Sequence, residues 1–319
     1  MVDDRRPGPL HPGPPPPHRL REGHLLSGEP ITISGHHPSH KQDALIELGT
    51  QLYDQYIHQE LQRQRTTDKD RAHVLVVANS YQQCAWLARG IAQAGSYRDG
   101  LCVAVRDGDR HRPDTDLPRE NIARRLTVEQ FESFPRHGNV LVVPLTVIAR
   151  GLNIVIGTRS AVRSIYLCVR PLALLAEPAE MYASVNAAGL RALLTGDGAD
   201  PDKVVEQARS AAWQRLELIL RAAPQFTAMP KSLQEEVIAG VLVDLIQLAG
   251  RARRGGTEAV LHLVDYAFHE DTWSSDLETI LRRIHDQWSP TERRQMNELY
   301  GQALNAFLSY AGIEPTLPH

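Results

Sequence analysis

The stretch QLAGRARRGG, residues 247–256, sets three arginines within four residues and then stops on two glycines. Guanidinium groups three residues apart on one helical face form a rigid fork of donors suited to a terminal phosphate. At about 100° per residue, with Gln247 at zero, Arg251 falls at about 40° and Arg254 at about −20°. Val237, Val241 and Leu245 fall between roughly 80° and 160°, so the polar trio points mostly away from the apolar stripe. Val243, at about −40°, is the exception. Gly250 keeps the polar face open, and Gly255–Gly256 ends the helix. Arg253 lies off the trio and is expected in solvent. A basic last turn that merely complements the helix dipole is the other reading of the same residues.

A second stretch, VLVVPLTVIARGLNI at 140–154, is a strand running straight into a loop or helix start with Arg150 and Gly151. Open α/β sheets bind ligands at such strand ends. The Asn153 amide is suited to a ribose or base, and the Thr146 hydroxyl to a phosphate of a bound strand.

The elements that must position these residues follow from apolar patterning. Short apolar runs at 73–79, 101–105, 139–145, 162–169 and 259–265 read as buried strands. Helical spacing covers 41–65, where Leu45, Leu48, Leu52 and Ile57 recur, and also the stretch after Asn79, the region around 119–134 and residues 237–254. Strands alternating with helices predict an α/β fold, a mostly parallel sheet with helices on both faces. Residues 1–40, rich in Pro, Gly and His, read as a largely disordered or extended lead-in, and 41–69 as a helix and linker. The α/β domain spans about 70–270, broken at about 171–235 by Ala- and Leu-rich inserted helices. A helical tail occupies 271–319.

Bulk properties remove several functions. The net charge of −3 over 319 residues gives no global basic field, so a polyanion site must be local. Cys84, Cys102 and Cys168 are odd in number and lie in apolar runs, which predicts buried thiols in a reducing compartment. No apolar run nears the ~20 residues of a membrane span, and no secretory signal is present, so a cytoplasmic protein is expected. The cluster His36, His37 and His40 lacks cysteine partners, and no metal site is assigned to it. The acidic residues and His111 of RDGDRHRPDTD, 106–116, read as solvated loop charge.

Together, the two stretches resemble the second RecA-like motor domain of superfamily 2 helicases. QLAGRARR is similar to that family's sixth motif, Gln-x-x-Gly-Arg-x-x-Arg, at Gln247, Gly250, Arg251 and Arg254. VIARGLNI is similar to the fifth, with Arg150, Gly151 and Asn153. HVLVVANSYQQCAWLARGI is similar to the fourth-motif strand and helix, with Asn79 and Ser80 ending the strand. The resemblance spans about residues 70–270. It implies that Arg251 and Arg254 are arginine fingers on the γ-phosphate of ATP, and that Gln247 orients that phosphate or the attacking water. It puts Gly250, Gly151 and Asn153 beside the nucleotide, and Thr146, Arg150, Asn79 and Ser80 beside DNA or RNA. Two positions depart from the pattern: Asn153 stands where many members carry Asp, and Leu145 precedes Thr146 where many begin with Thr.

The chain contains no Gly-Lys-Ser/Thr phosphate loop and no Asp-Glu pair after a strand. ATP with Mg²⁺ is therefore expected to be held mainly by a first motor domain on another chain or in an upstream frame. Alone, this chain is expected not to hydrolyse ATP. The alternative is a non-catalytic RecA-like module for nucleic-acid or protein interaction. An independent kinase or nucleotidyl transferase is disfavoured by the missing phosphate loop.

Overall fold

In a computed structural model, the described residues are 11–12, 31–34, 37–94, 100–109, 117–119, 121–148, 153–170, 178–195, 200–222, 226–269 and 276–314. They form two compact units, Met1–Pro171 with Leu242–His319, and Leu172–Val241.

The first unit is built on six parallel strands: β1 (His73–Ala78), β2 (Leu101–Ala104), β3 (Ala123–Leu126), β4 (Val140–Pro144), β5 (Val162–Leu167) and β6 (Val260–Leu263). Their order is β6-β5-β1-β4-β2-β3. His11–Pro12 adds a two-residue parallel bridge on the outer side of β6. The expected α/β, RecA-like sheet is present, and all five strands read from the sequence lie where their apolar runs put them. Every residue of β1 is buried, as a central strand covered on both faces requires.

One face carries α1 (Pro38–Leu52), a π-turn at Tyr53–Ile57, α2 (His58–Thr67) and α3 (Tyr81–Gln93). Leu45, Leu48, Leu52 and Ile57, the predicted stripe, pack with Leu87, Ile91, Val74 and Val76. Helices α1 and α3 cross backbone to backbone. A Cβ on Gly90 would lie 1.9 Å from the Ile46 carbonyl oxygen, and one on Gly49 2.4 Å from that of Leu87. The Thr50 hydroxyl donates to the Gly90 carbonyl at 2.9 Å across this crossing.

Two expectations are corrected. The region around 119–134 is not a helix but strand β3 followed by a 3₁₀ segment, Val128–Arg136, opened by a Thr127–Gln130 capping box. Phe131 and Phe134, three apart and both buried, suit three residues per turn as well as 3.6. The lead-in is also not loose throughout, since Ile31 and Ile33 are buried in the core. The wholly buried Asp265 carboxylate accepts from the Ile33, Ser34, Arg170 and Ala267 amides at 3.0–3.2 Å and from the Ser34 hydroxyl. The remaining residues before Ile31, and His36 of the histidine cluster, lie outside the described residues.

The second unit holds α5 (Pro178–Thr195), α6 (Pro201–Arg221) and the start of α7 (Lys231–Ala252), and so contains the predicted inserted helices. Asp200 caps α6 ahead of Pro201. Gly189 faces the Ala208 carbonyl and Ala212, and Arg215 donates to Ser184 at 2.9 Å and pairs with Glu236. In the first unit, α8 (Leu277–Gln287) and α9 (Pro290–Tyr310) form the expected helical tail. Among the described residues no helix is long and apolar enough to cross a membrane. All three cysteines are buried free thiols, and burial raises Cys102 to about 12.

His262 on β6 stacks on Tyr166 of β5, with centroids 4.2 Å apart and planes 7° from parallel, and burial lowers its pKa from 6.5 to about 3. Below 6.5 the unfolded imidazole takes a proton that the native one refuses, so stability falls as pH drops from 6.5 towards 3. At two pH units below 6.5 the loss is about 3 kcal/mol. His73, also lowered by burial, adds in the same direction. Urea titrations at pH 7 and 4.5 are expected to show this loss, and His262→Phe to remove most of it.

Candidate functional site

From Leu242 onward, α7 packs on the sheet face opposite α1 and α3. Leu245, Leu248, Ala249 and Ala252 are buried, whereas Gln247 and Gly250 are exposed. The predicted outward polar face is present there. A Cβ on Gly250 would meet open space, so that face admits close approach.

The helix stops at Ala252, two residues before the helical projection places Arg254. Arg253 N donates to Ala249 O at 3.0 Å, Arg254 N to Arg251 O at 3.2 Å and Thr257 N to Arg253 O at 3.1 Å, which winds the chain into a tight turn. Gly255 (φ 78°) and Gly256 (φ 72°) complete it in the left-handed region, as the double glycine predicts. A Cβ on Gly255 would also come within 2.9 Å of the Thr158 carbonyl oxygen. Arg254 therefore leaves from the turn, fully exposed, while Arg251 leaves from the helix, half-buried. Arg253, expected in solvent, is instead partly covered, and its pKa is lowered by burial.

Arg251 lines a small pocket with Leu75, Ile148, Ile154, Val162 and Leu248. Ile148 and Ile154, from the two ends of the second stretch, thus lie beside Arg251. Arg150 and Gly151 themselves lie outside the described residues. A hairpin, Val155–Ile156 with Arg159–Ser160, links the two, because Ser160 N donates to Arg254 O at 3.0 Å.

One residue that the motifs do not signal holds this corner together. Arg71, between α2 and β1, is only 4% exposed. Its guanidinium donates to the carbonyls of Ser160 (3.3 Å), Val162 (2.9 Å), Ala252 (3.3 Å) and Glu258. Three segments, the hairpin and β5, the end of α7 and the approach to β6, thus share one cation. Burial, with Arg163 nearby, lowers Arg71 to about 10.

Of the remaining candidates, Asn79 and Ser80 sit at the other end of the sheet. Thr146 is half-buried on the single-turn helix α4 (Leu145–Ile148) that follows β4. Ser80 caps α3 by accepting from Gln83 N at 3.3 Å, and the Asn79 side-chain amide donates to Arg170 O at 3.1 Å. Both side chains therefore have structural duties at the end of β1. Asn153, half-buried, follows the undescribed loop. The arginine turn lies by the strand N-termini and Asn79 and Ser80 by the C-termini, about 20 Å apart for six residues of strand. One small ligand does not span both. Among the described residues no group of three or more His, Cys, Asp or Glu is gathered to hold a metal ion.

No protein-family model, curated protein or solved structure matches the chain.

Removing the Arg71 donors strands several buried carbonyls, each costing about 1–3 kcal/mol. Arg71→Met is expected to lose about 3 kcal/mol or more in denaturant unfolding. Hydrogen exchange under native conditions should rise first at the Ser160 and Thr257 amides, whose acceptors lie in the arginine turn. Uniform exchange across the chain would show that the corner does not depend on Arg71.

Proposed function

We propose that the chain is the C-terminal motor lobe of an ATP-dependent superfamily 2 DNA or RNA helicase. In this reading Arg251 and Arg254 act on ATP held by a first motor domain outside the chain. The supporting observation is the arginine turn itself: an exposed Arg254 beyond a helix end braced by Arg71, with Arg251 three residues earlier and an open Gly250 beside them.

Two cations three residues apart in sequence would attract the oxygens of a terminal phosphate and repel a metal ion. The group that fits here is the phosphate end of ATP, and Mg²⁺ belongs to the first domain. Bound there, the nucleotide supplies the phosphoryl group that is transferred. The guanidinium groups neutralise charge growing on the equatorial oxygens, and their fixed turn avoids reorganisation as it grows. Gln247, exposed one turn before Arg251, orients the phosphate or the water. Thr146 and Arg150 would meet the nucleic acid, with Asn79 and Ser80 contributing chiefly through the strand end they shape.

The non-catalytic alternative draws on the same facts at Asn79 and Ser80, whose side chains are committed within the fold. ATP turnover separates the readings. The purified chain is expected to show none, with or without single-stranded DNA or RNA; robust stimulated turnover would overturn the half-motor reading. With a first motor domain supplied, Arg254→Ala is expected to lower turnover by about 10³-fold or more. Unchanged turnover in that variant would remove it from the chemistry.

A further inference from the structure

The proposed function leaves the second unit without a role, and its surface is unusual. Of the eight large apolar side chains most exposed on the described chain, seven lie on α5 and α6: Tyr182, Leu190, Leu193, Leu194, Val205, Trp213 and Leu220, at 44–75% exposure. Summed, their exposed surface is on the order of 800 Å², comparable to one side of a standard interface.

The charges beside them are arranged with a dyad. On α6, Val205, Leu216, Arg209, Leu220 and Trp213 fall within an arc of roughly 80°, with Glu206 and Glu217 along one edge. When two such helices run antiparallel with Trp213 at the centre, Arg209 and Glu217 stand four residues, about 6 Å, to either side. Each Arg209 then meets the other copy's Glu217, whose carboxylate already pairs with Arg221 of its own helix at 2.5 Å. Glu206 and Arg221, seven and eight residues out, also meet with opposite sign. A self-complementary stripe of this kind is what an isologous two-fold contact requires.

We propose that α6, flanked by the apolar residues of α5, is the interface through which two copies of this chain pair antiparallel about Trp213. This inference is independent of the helicase reading. Pairing buries the exposed indoles and leucines and completes a four-helix arrangement from two hairpins.

The test is sedimentation of the full chain at tens of micromolar, with circular dichroism as a check on folding. The wild type is expected to be a dimer. Arg209→Glu and Glu217→Arg are each expected to raise the dissociation constant at least 10-fold, because each sets like charges opposite at two symmetric places. The double variant restores opposite charges and is expected to dimerise again, as is a mixture of the two single variants. A monomeric wild type, through cover of this face by the rest of the chain or otherwise, would overturn the proposal. A dimer indifferent to the swaps would overturn it equally, placing the contact elsewhere. Wild-type dimers abolished by both single variants but not restored by mixing would rule out the antiparallel register.

Discussion

A guanidinium taken out of water needs its donors satisfied, and Arg71 meets that need with main-chain carbonyls instead of a carboxylate in contact. That choice of partners shapes the corner around it. A side-chain partner can swing away, whereas carbonyls at Ser160, Val162, Ala252 and Glu258 are fixed by the strands and helix that own them. The end of α7 leaves its last carbonyls without helical partners, and Arg71 takes up the one at Ala252. Thr257 closes on the same carbonyl with its hydroxyl at 3.0 Å. The exposed Arg254 downstream is therefore carried by a turn that is fastened on its buried side.

Much of the sheet was legible because central parallel strands are apolar on both faces. HVLVVA, VLVVP and VLHL admit few other readings once helices are placed between them. Edge strand β3 was not legible. Its four residues, ARRL, bury only Ala123 and Leu126, too short an alternation to outweigh the helix-like spacing of the phenylalanines that follow. The polar face of α7 was readable by periodicity as far as the periodicity lasted. Past Ala252 the chain is no longer a helix, so the projection misplaced Arg254 and left Arg253 in solvent. Arg71 and Asp265 escaped for a different reason: in sequence each is one more charge at the edge of an element. Their roles come from partners roughly 90 to 230 residues away, which no local pattern reports.

The two ends of the sheet differ in how their polar groups are used. At the strand N-termini, the exposed Arg254 projects from a braced turn. At the C-termini, Asn79, Ser80 and Asp265 are absorbed in capping and in joining strands. Charge at that end comes instead from Arg106 and Asp107, exposed just after β2, with Arg106 beside Ser80 and Tyr81.

Asp265 also sets a timetable. Its partners at Ile33 and Ser34 leave the ribosome more than 230 residues earlier. At roughly 5–20 residues per second, the docked segment waits on the order of ten to fifty seconds for the carboxylate that receives it. During that interval Ile31 and Ile33 have no completed β6 to lie beside, and neither the β5–β6 pair nor the stacked His262 exists. Ile31 and Ile33 thus emerge long before the residues that bury them, and the newborn chain carries them uncovered through that interval.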